Sequence, residues 1–356
     1  MEENATVKKY ADKNLMAYAA KKENYVYYDF GEFDIEGLPW YEKEGKLYRM
    51  PEALLEKFNE NMNEIAKSPS GGLLRFKTDT SKMALLCTYS FKSEHETLTQ
   101  CVDGGFDLYL CRDGEYEFAG NFRPNLGENF LDMEKLIPST GAMEEYILYF
   151  PLYSHISELK IGIEKGRHIQ KAEPKPKKKI LFYGSSVTNG STACRPGLTY
   201  PAVLCRRLGA EMINLGYSGN CKGEGFLARE MGALDFDAFV MEYDHNEADP
   251  KILAEKHENF FKIIRNSKAD IPIVIMSRPD FFHTSSDRTL AFKEVVYTTY
   301  RNAVDSGDGN VYFADGRSIF PDEGRSDFSS DRIHPNDMGL YTIANVLYDI
   351  FNKLNF

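Results

Sequence analysis

Short apolar runs alternate with longer segments through the second half of the chain. The runs fall at 179–183, 211–215, 237–242, 272–276 and 310–314, each the length of a buried strand. The segments 250–267 and 286–304 between them have helical length, and a final amphipathic helix is expected over 337–353. Strands alternating with helices predict a parallel sheet covered on both faces, a three-layer α/β domain. Up to about residue 170 the pattern is β-rich without that alternation. Tyr146-Ile147-Leu148-Tyr149-Phe150 and Leu159-Lys160-Ile161-Gly162-Ile163 are short apolar or alternating runs. The stretch 106–118 reads as a hairpin turning at Asp113-Gly114, a dipeptide suited to positive φ. Short strands separated by turn signals predict an antiparallel sandwich, with a helical piece over 51–58. Lys171-Ala172-Glu173-Pro174-Lys175-Pro176-Lys177-Lys178-Lys179 is polar and proline-stiffened, a connector. The expected division is a jelly-roll-like β-sandwich over 1–170, a linker over 171–178 and an α/β domain over 179–356.

Composition narrows the function. At 356 residues, with 42% hydrophobic and 13% aromatic content, the chain can fill two cores. A net charge of −11 argues against a nucleic-acid surface. No apolar run reaches the roughly 18 residues of a membrane span. Met1-Glu2-Glu3-Asn4-Ala5-Thr6 lacks the basic start of a secretory signal, and the six cysteines form no CxxC pair. A cytoplasmic protein with reduced thiols is the expectation.

The chemistry concentrates in two places. Ile180-Leu181-Phe182-Tyr183-Gly184-Ser185-Ser186-Val187-Thr188-Asn189-Gly190 runs from a β-prone segment into a hydroxyl-rich loop between glycines. Open α/β sheets form their ligand crevices at such strand ends. Far downstream, Asp331-Arg332-Ile333-His334-Pro335 places an acid three residues before a histidine. Serine, histidine and aspartate together supply nucleophile, base and orienter. Of the seven histidines, His334 alone combines an acid at −3 with a turn opening the final helix. His95, His155, His168, His257 and His283 read as surface or packing residues.

Over about residues 177–354 these blocks resemble the SGNH (GDSL-type) hydrolase superfamily. Ser185 stands where the family usually has Asp before its nucleophile, so Ser186 takes the nucleophile position. A subgroup shares that departure together with a Cys-Arg-Pro-Gly block, here Cys194-Arg195-Pro196-Gly197. The resemblance makes Asp331 and His334 the partners of Ser186. It also implies an oxyanion hole of Ser186, Gly219 (in Asn214-Leu215-Gly216-Tyr217-Ser218-Gly219-Asn220) and Asn246 (in Met241-Glu242-Tyr243-Asp244-His245-Asn246-Glu247). In the last block Asp244 and Glu247 replace the family's glycine and final Asp. Arg195 is a candidate substrate contact beside a structural alternative, and His245 reads as a loop residue. Gly105-Phe106-Asp107-Leu108-Tyr109 resembles the Gly-x-Asp-Leu-Tyr motif of a β-domain that precedes this subgroup. Trp40 reads as a packing residue, with stacking on a sugar as the alternative.

The resemblance implies a flavodoxin-like sheet in the order 2-1-3-4-5 behind the sandwich, and a serine esterase removing short acyl groups, acetyl above all, from a carbohydrate. No cofactor is expected, and no H-E-x-x-H-type spacing suggests a metal. The expected partners are a small-molecule or oligosaccharide ester, with homo-oligomerisation left open beside it, and neither nucleic acid nor membrane. Two other functions stay open at this point: a thioesterase or lysophospholipase-type acylhydrolase, and a non-catalytic glycan-binding protein on a hydrolase scaffold.

Overall fold

A computed structural model describes residues 20–95, 98–175 and 177–356; the N-terminal stretch read against a secretory signal lies outside them. Among the described residues, the first half holds ten strands and four short α-helices. The strands are β1 (Tyr25–Asp29), β2 (Asp34–Glu36), β3 (Leu73–Thr78), β4 (Lys82–Phe91), β5 (Phe106–Arg112), β6 (Glu115–Phe122), β7 (Phe130–Leu136), β8 (Glu144–Tyr149), β9 (His155–Glu164) and β10 (Ile169–Lys171). Helices α1 (Tyr41–Glu44), α2 (Glu52–Leu55) and α3 (Glu60–Ala66) lie between β2 and β3, and α4 (Gln100–Asp103) precedes β5. Two antiparallel sheets, β1-β9-β4-β7 and β10-β3-β8-β5-β6 with β2 beside β3, enclose a core that includes Phe76, Leu85, Phe106, Leu148 and Ile161. The β5–β6 hairpin turns at Asp113 and Gly114, with φ of 53° and 84°.

The second half carries β11 (Lys179–Gly184), β12 (Glu211–Gly216), β13 (Ala238–Glu242), β14 (Ile273–Met276) and β15 (Val311–Ala314). They form one parallel sheet in the order β12-β11-β13-β14-β15, which is 2-1-3-4-5 counted within this half. Around it lie α5 (Ser186–Asn189), α6 (Tyr200–Leu208), α7 (Gly225–Gly232), α8 (Pro250–Ser267), α9 (Asp287–Asp305) and α10 (Asp337–Lys353). Alternation along β11 sends Ile180 and Phe182 into the core on one face and Leu181 and Tyr183 into the core on the other. The fold is the expected SGNH architecture, with its antiparallel sheets at the N-terminus.

The two halves share cores. Tyr146 and Leu148 of β8 face into the sandwich, while Ile147 and Tyr149 pack with Phe182 and Tyr200 of the α/β half. A strand buried on both faces reads as a continuous apolar run rather than an alternating one, which explains residues 146–150. On the other face of the parallel sheet, Trp40, Met50, Leu54, Leu55, Met62 and Ala66 join the cluster of Leu181, Leu215 and Tyr217. Trp40 is thus a core residue. The connector is tied down as well, by Lys175 to Glu145 at 3.0 Å and Lys177 to Glu36 at 2.8 Å.

Candidate active site

β11 ends at Gly184 because nothing larger fits: a Cβ there would lie 2.0 Å from Thr188 Oγ1 and 2.5 Å from the Glu242 carbonyl oxygen. The chain then turns into α5. Ser185 caps it, its hydroxyl accepting from the Val187 amide at 3.1 Å, and Gly190 closes it at φ 98°, a left-handed conformation that favours glycine. Ser186 is the first residue of this short helix. Its Oγ lies 2.8 Å from Nε2 of His334.

His334 is held by its own loop. Asp331 Oδ1 accepts from the amides of Ile333 at 2.9 Å and His334 at 2.7 Å, and Oδ2 lies 2.7 Å from His334 Nδ1. The Ser330 amide and the Ser329 hydroxyl both donate to the His334 carbonyl, at 3.0 and 2.9 Å. Asn336 then caps α10 through the Gly339 amide at 3.0 Å. Burial opposes the charge on Asp331, but the hydrogen bonds from His334 and the loop amides outweigh it and hold the carboxyl below its ordinary range. An ionised Asp331 keeps the imidazole proton on Nδ1, which leaves Nε2 free to accept from Ser186. Ser186, His334 and Asp331 therefore come together as one hydrogen-bonded line that can take a proton from the serine.

Gly219 and Asn246 follow β12 and β13, the two strands that flank β11. Gly219 is exposed at φ 70°, with open space where a Cβ would stand. Asn246 ends a single 3-10 turn, Asp244–Asn246, and its Nδ2 is buried without a hydrogen-bond partner. The helix start that competes for Asn246 is already served: Asp249 caps α8, accepting from the Lys251 amide at 2.8 Å. His245 lies against the Phe292 ring at 4.7 Å and meets Asp244 at 2.8 Å, so it is mostly enclosed rather than solvated.

Arg195 is placed elsewhere. Its guanidinium bonds Asp107 Oδ2 at 2.8 Å and Tyr109 Oη at 2.7 Å and stacks 3.8 Å from the Phe118 ring. Asp107 also accepts from the Gly197 amide at 2.8 Å. The Gly-x-Asp-Leu-Tyr strand and the Cys-Arg-Pro-Gly loop are thus two sides of one clasp between the halves, and of the two readings of Arg195 this ion pair supports the structural one. His95, read as a surface or packing residue, is held by the buried Asp103 at 3.3 Å and packs against Tyr153 at 5.1 Å.

The sequence reading passes over Glu242. This fully buried residue ends β13 and receives the Ser185 hydroxyl at 2.9 and 2.8 Å. Its carbonyl accepts from the Ser185 amide at 2.8 Å, and Thr188 Oγ1 is 3.0 Å from Oε2. Burial, reinforced by Asp244, pushes its carboxyl up to about 8. Where the superfamily places an acid directly before the nucleophile, this chain has a serine leaning on an acid of the neighbouring strand. The visible signal is a glutamate at the end of an otherwise apolar run.

Among the described residues, no group of three His, Cys, Asp or Glu side chains could hold a metal ion, and no helix is long and apolar enough to cross a membrane. A cavity of about 450 Å³ between α8 and α9, lined by Phe261, Arg265, Asn302 and Asn310, lies at the amino ends of the strands, opposite Ser186.

Residues 177–352 match the GDSL-like Lipase/Acylhydrolase family, and residues 25–169 match the N-terminus of SGNH-hydrolase-type esterases. The second half belongs to the GDSL-like hydrolases. A protein from Bacteroides ovatus described as a GDSL-like lipase is 27% identical with a TM-score of 0.82, covering 93% of this chain and 98% of its own. The salicylyl-acyltransferase SsfX3 of a tetracycline biosynthetic pathway is 19% identical with a TM-score of 0.70, covering 97% of this chain and 99% of its own. The acetyl xylan esterase Est2A of Butyrivibrio proteoclasticus is 14% identical with a TM-score of 0.56, covering 93% of this chain and 99% of its own. No curated protein matches the chain in sequence. This GDSL-like chain is an esterase or acylhydrolase by family, and its two-part architecture recurs in all three structures.

Proposed function

We propose that the chain is a serine esterase that removes short acyl groups, acetyl above all, from a carbohydrate. The observation that carries the reading is the line Ser186–His334–Asp331, with contacts of 2.8 and 2.7 Å, together with an Asn246 amide, past the end of the neighbouring strand β13, whose Nδ2 has no protein partner. Ser186 Oγ attacks the ester carbonyl carbon while its proton passes to His334 Nε2. The carbonyl oxygen becomes an oxyanion, facing the Ser186 and Gly219 amides and Asn246 Nδ2. Collapse breaks the bond to the alcohol oxygen, which leaves with the proton from His334. Water then repeats the cycle on the acyl-serine, giving the free acid and restoring Ser186.

Support for the acyl and alcohol parts is of a different kind. The same two-part architecture occurs in an enzyme named for acetyl xylan, so an acetylated sugar is the substrate we assign. Acetate release from a panel of acetylated oligosaccharides, run with acetyl and octanoyl nitrophenyl esters, tests it. Fast octanoate turnover with no acetate from any sugar would replace this reading with a long-chain acylhydrolase. Ser186→Ala should be inactive on every ester, and a serine-directed phosphonate should label Ser186 in the parent chain; labelling at Ser185, with Ser186→Ala still active, would overturn the assignment.

A further inference from the structure

The loop bearing Gly219 has little of its own to hold it. Gly219 has no side chain, is exposed, and leaves open space where a Cβ would stand. Within the loop, Asn220 Nδ2 donates to the Ser218 carbonyl at 2.6 Å and the Asn220 amide donates to the Tyr217 carbonyl at 2.9 Å. The Tyr217 amide ties the loop to β11 through the Gly184 carbonyl at 2.9 Å, and further supports come from the first half of the chain.

Tyr153, in the turn between β8 and β9, is buried with its phenol directed into the second half. The phenol oxygen hydrogen-bonds Ser191 Oγ and Ser218 Oγ, the latter at 3.0 Å, and the two serine hydroxyls are 3.3 Å apart. The Ser191 amide donates to the Ser186 carbonyl at 2.9 Å, so Ser191 belongs to the turn that closes the nucleophile helix. Ser218 immediately precedes Gly219. One phenol thus spans the nucleophile helix and the oxyanion loop, and three hydroxyls in a closed ring can each donate once and accept once.

A second strut stands behind it. The Arg49 guanidinium is fully buried and donates to the carbonyl of Gly216, to those of Ser68 at 3.0 Å and Ile65 at 2.8 Å, and to Ser68 Oγ at 3.1 Å. It also lies 4.7 Å from the Tyr217 ring, and Tyr217 Oη donates to the Arg49 carbonyl at 2.8 Å. Residues 216–218 are therefore gripped from the first half of the chain, through Arg49 at the strand end and through Tyr153 at the loop.

We infer that Tyr153 is a positioning residue of the esterase, fixing the Gly219 amide where the oxyanion forms. The inference rests on the proposed roles of Ser186 and Gly219. A donor is worth most in the transition state, where the oxygen carries charge, and small misplacements of catalytic groups cost large factors in rate. Loss of the phenol hydroxyl should therefore act on kcat rather than on KM.

The experiment measures kcat, KM and melting temperature with 4-nitrophenyl acetate for the full chain and for Tyr153→Phe, Ser218→Ala, their combination and Ser186→Ala. Tyr153→Phe is expected to lower kcat about tenfold with KM changed less than about twofold. Ser218→Ala should do the same, and the double variant should be no worse than either single variant, because both cut one connection. Should Tyr153→Phe fail to fold, Ser218→Ala decides by the same split. Full kcat in the single variants, a loss confined to KM, or losses that multiply in the double variant would overturn the positioning role while Ser186→Ala stays inactive. Activity retained in Ser186→Ala would instead overturn the underlying esterase reading.

Discussion

Replacing Glu242 with glutamine isolates the carboxyl beneath the nucleophile loop. Its ordinary value is 4.5 and its folded value about 8, raised first by burial and then by Asp244. Between those values the folded chain keeps a proton that the unfolded chain releases, so stability falls as pH rises through the interval. At about 1.4 kcal/mol per pH decade, the loss reaches on the order of 3 kcal/mol by pH 7 and about 5 kcal/mol above pH 8. Glutamine has no proton to lose and still offers the Ser185 hydroxyl an acceptor. Glu242→Gln should therefore gain stability relative to the parent by about 3–4 kcal/mol between pH 5 and pH 8, or roughly 5 °C in melting temperature for a chain of this length. Its kcat on 4-nitrophenyl acetate at pH 7 should stay within about twofold, because glutamine imitates the protonated acid. Glu242→Ala leaves the Ser185 and Thr188 hydroxyls short of a buried partner and should cost about 2–5 kcal/mol together with most activity. Melting curves and initial rates from pH 5 to 9 check both variants. A hundredfold loss of kcat in a well-folded Glu242→Gln, or a pH dependence of melting identical to that of the parent, would refute a neutral Glu242.

Ser186→Ala should lower acetyl-ester turnover by at least about a thousandfold, read by acetate release. Asn246→Ala should reduce kcat about 10²–10³-fold with a smaller effect on KM; an unchanged kcat would return Asn246 to a turn residue. His334→Ala should abolish most turnover, and a His334→Ala chain with parental activity would exclude it as the base. A fragment starting near Lys175 lacks Arg49, Tyr153 and the Trp40 cluster; it should be insoluble or nearly inactive, and full activity from a soluble fragment would show that the first half is dispensable.

Much of the α/β half was legible because its strands are buried on both faces and its helices are long. The segments 250–267 and 337–353 coincide with α8 and α10, and the blocks around Ser186 and His334 carry their geometry within a few residues of local chain. What escaped depends on contacts distant in sequence. Between residues 38 and 70 the sequence shows only the helical piece over 51–58, since α1 to α3 are too short to show a period, and their apolar residues face a sheet formed some 150 positions later. Arg195 suggests a ligand contact until Asp107 is brought opposite it. Glu242 looked like the polar end of a strand, and only the fold shows Ser185 resting on it.

The sharing of cores between the halves bears on how the chain is made. Ile147, Tyr149, Trp40, Met50 and Leu54 leave the ribosome long before Phe182, Leu215 and Tyr217, the side chains that cover them. During synthesis the early half carries an uncovered apolar sheet face and a buried-type arginine still lacking the Gly216 carbonyl, the kind of surface that chaperones bind and that aggregates when left alone. The pairing of Trp40, Met50 and Leu54 with Leu215 and Tyr217 spans well over a hundred residues of chain, a slow closure by topology. Expression should accordingly depend on temperature and chaperone supply, and unfolding of the finished chain should be one cooperative event, with no intermediate in which one half stands folded while the other has melted.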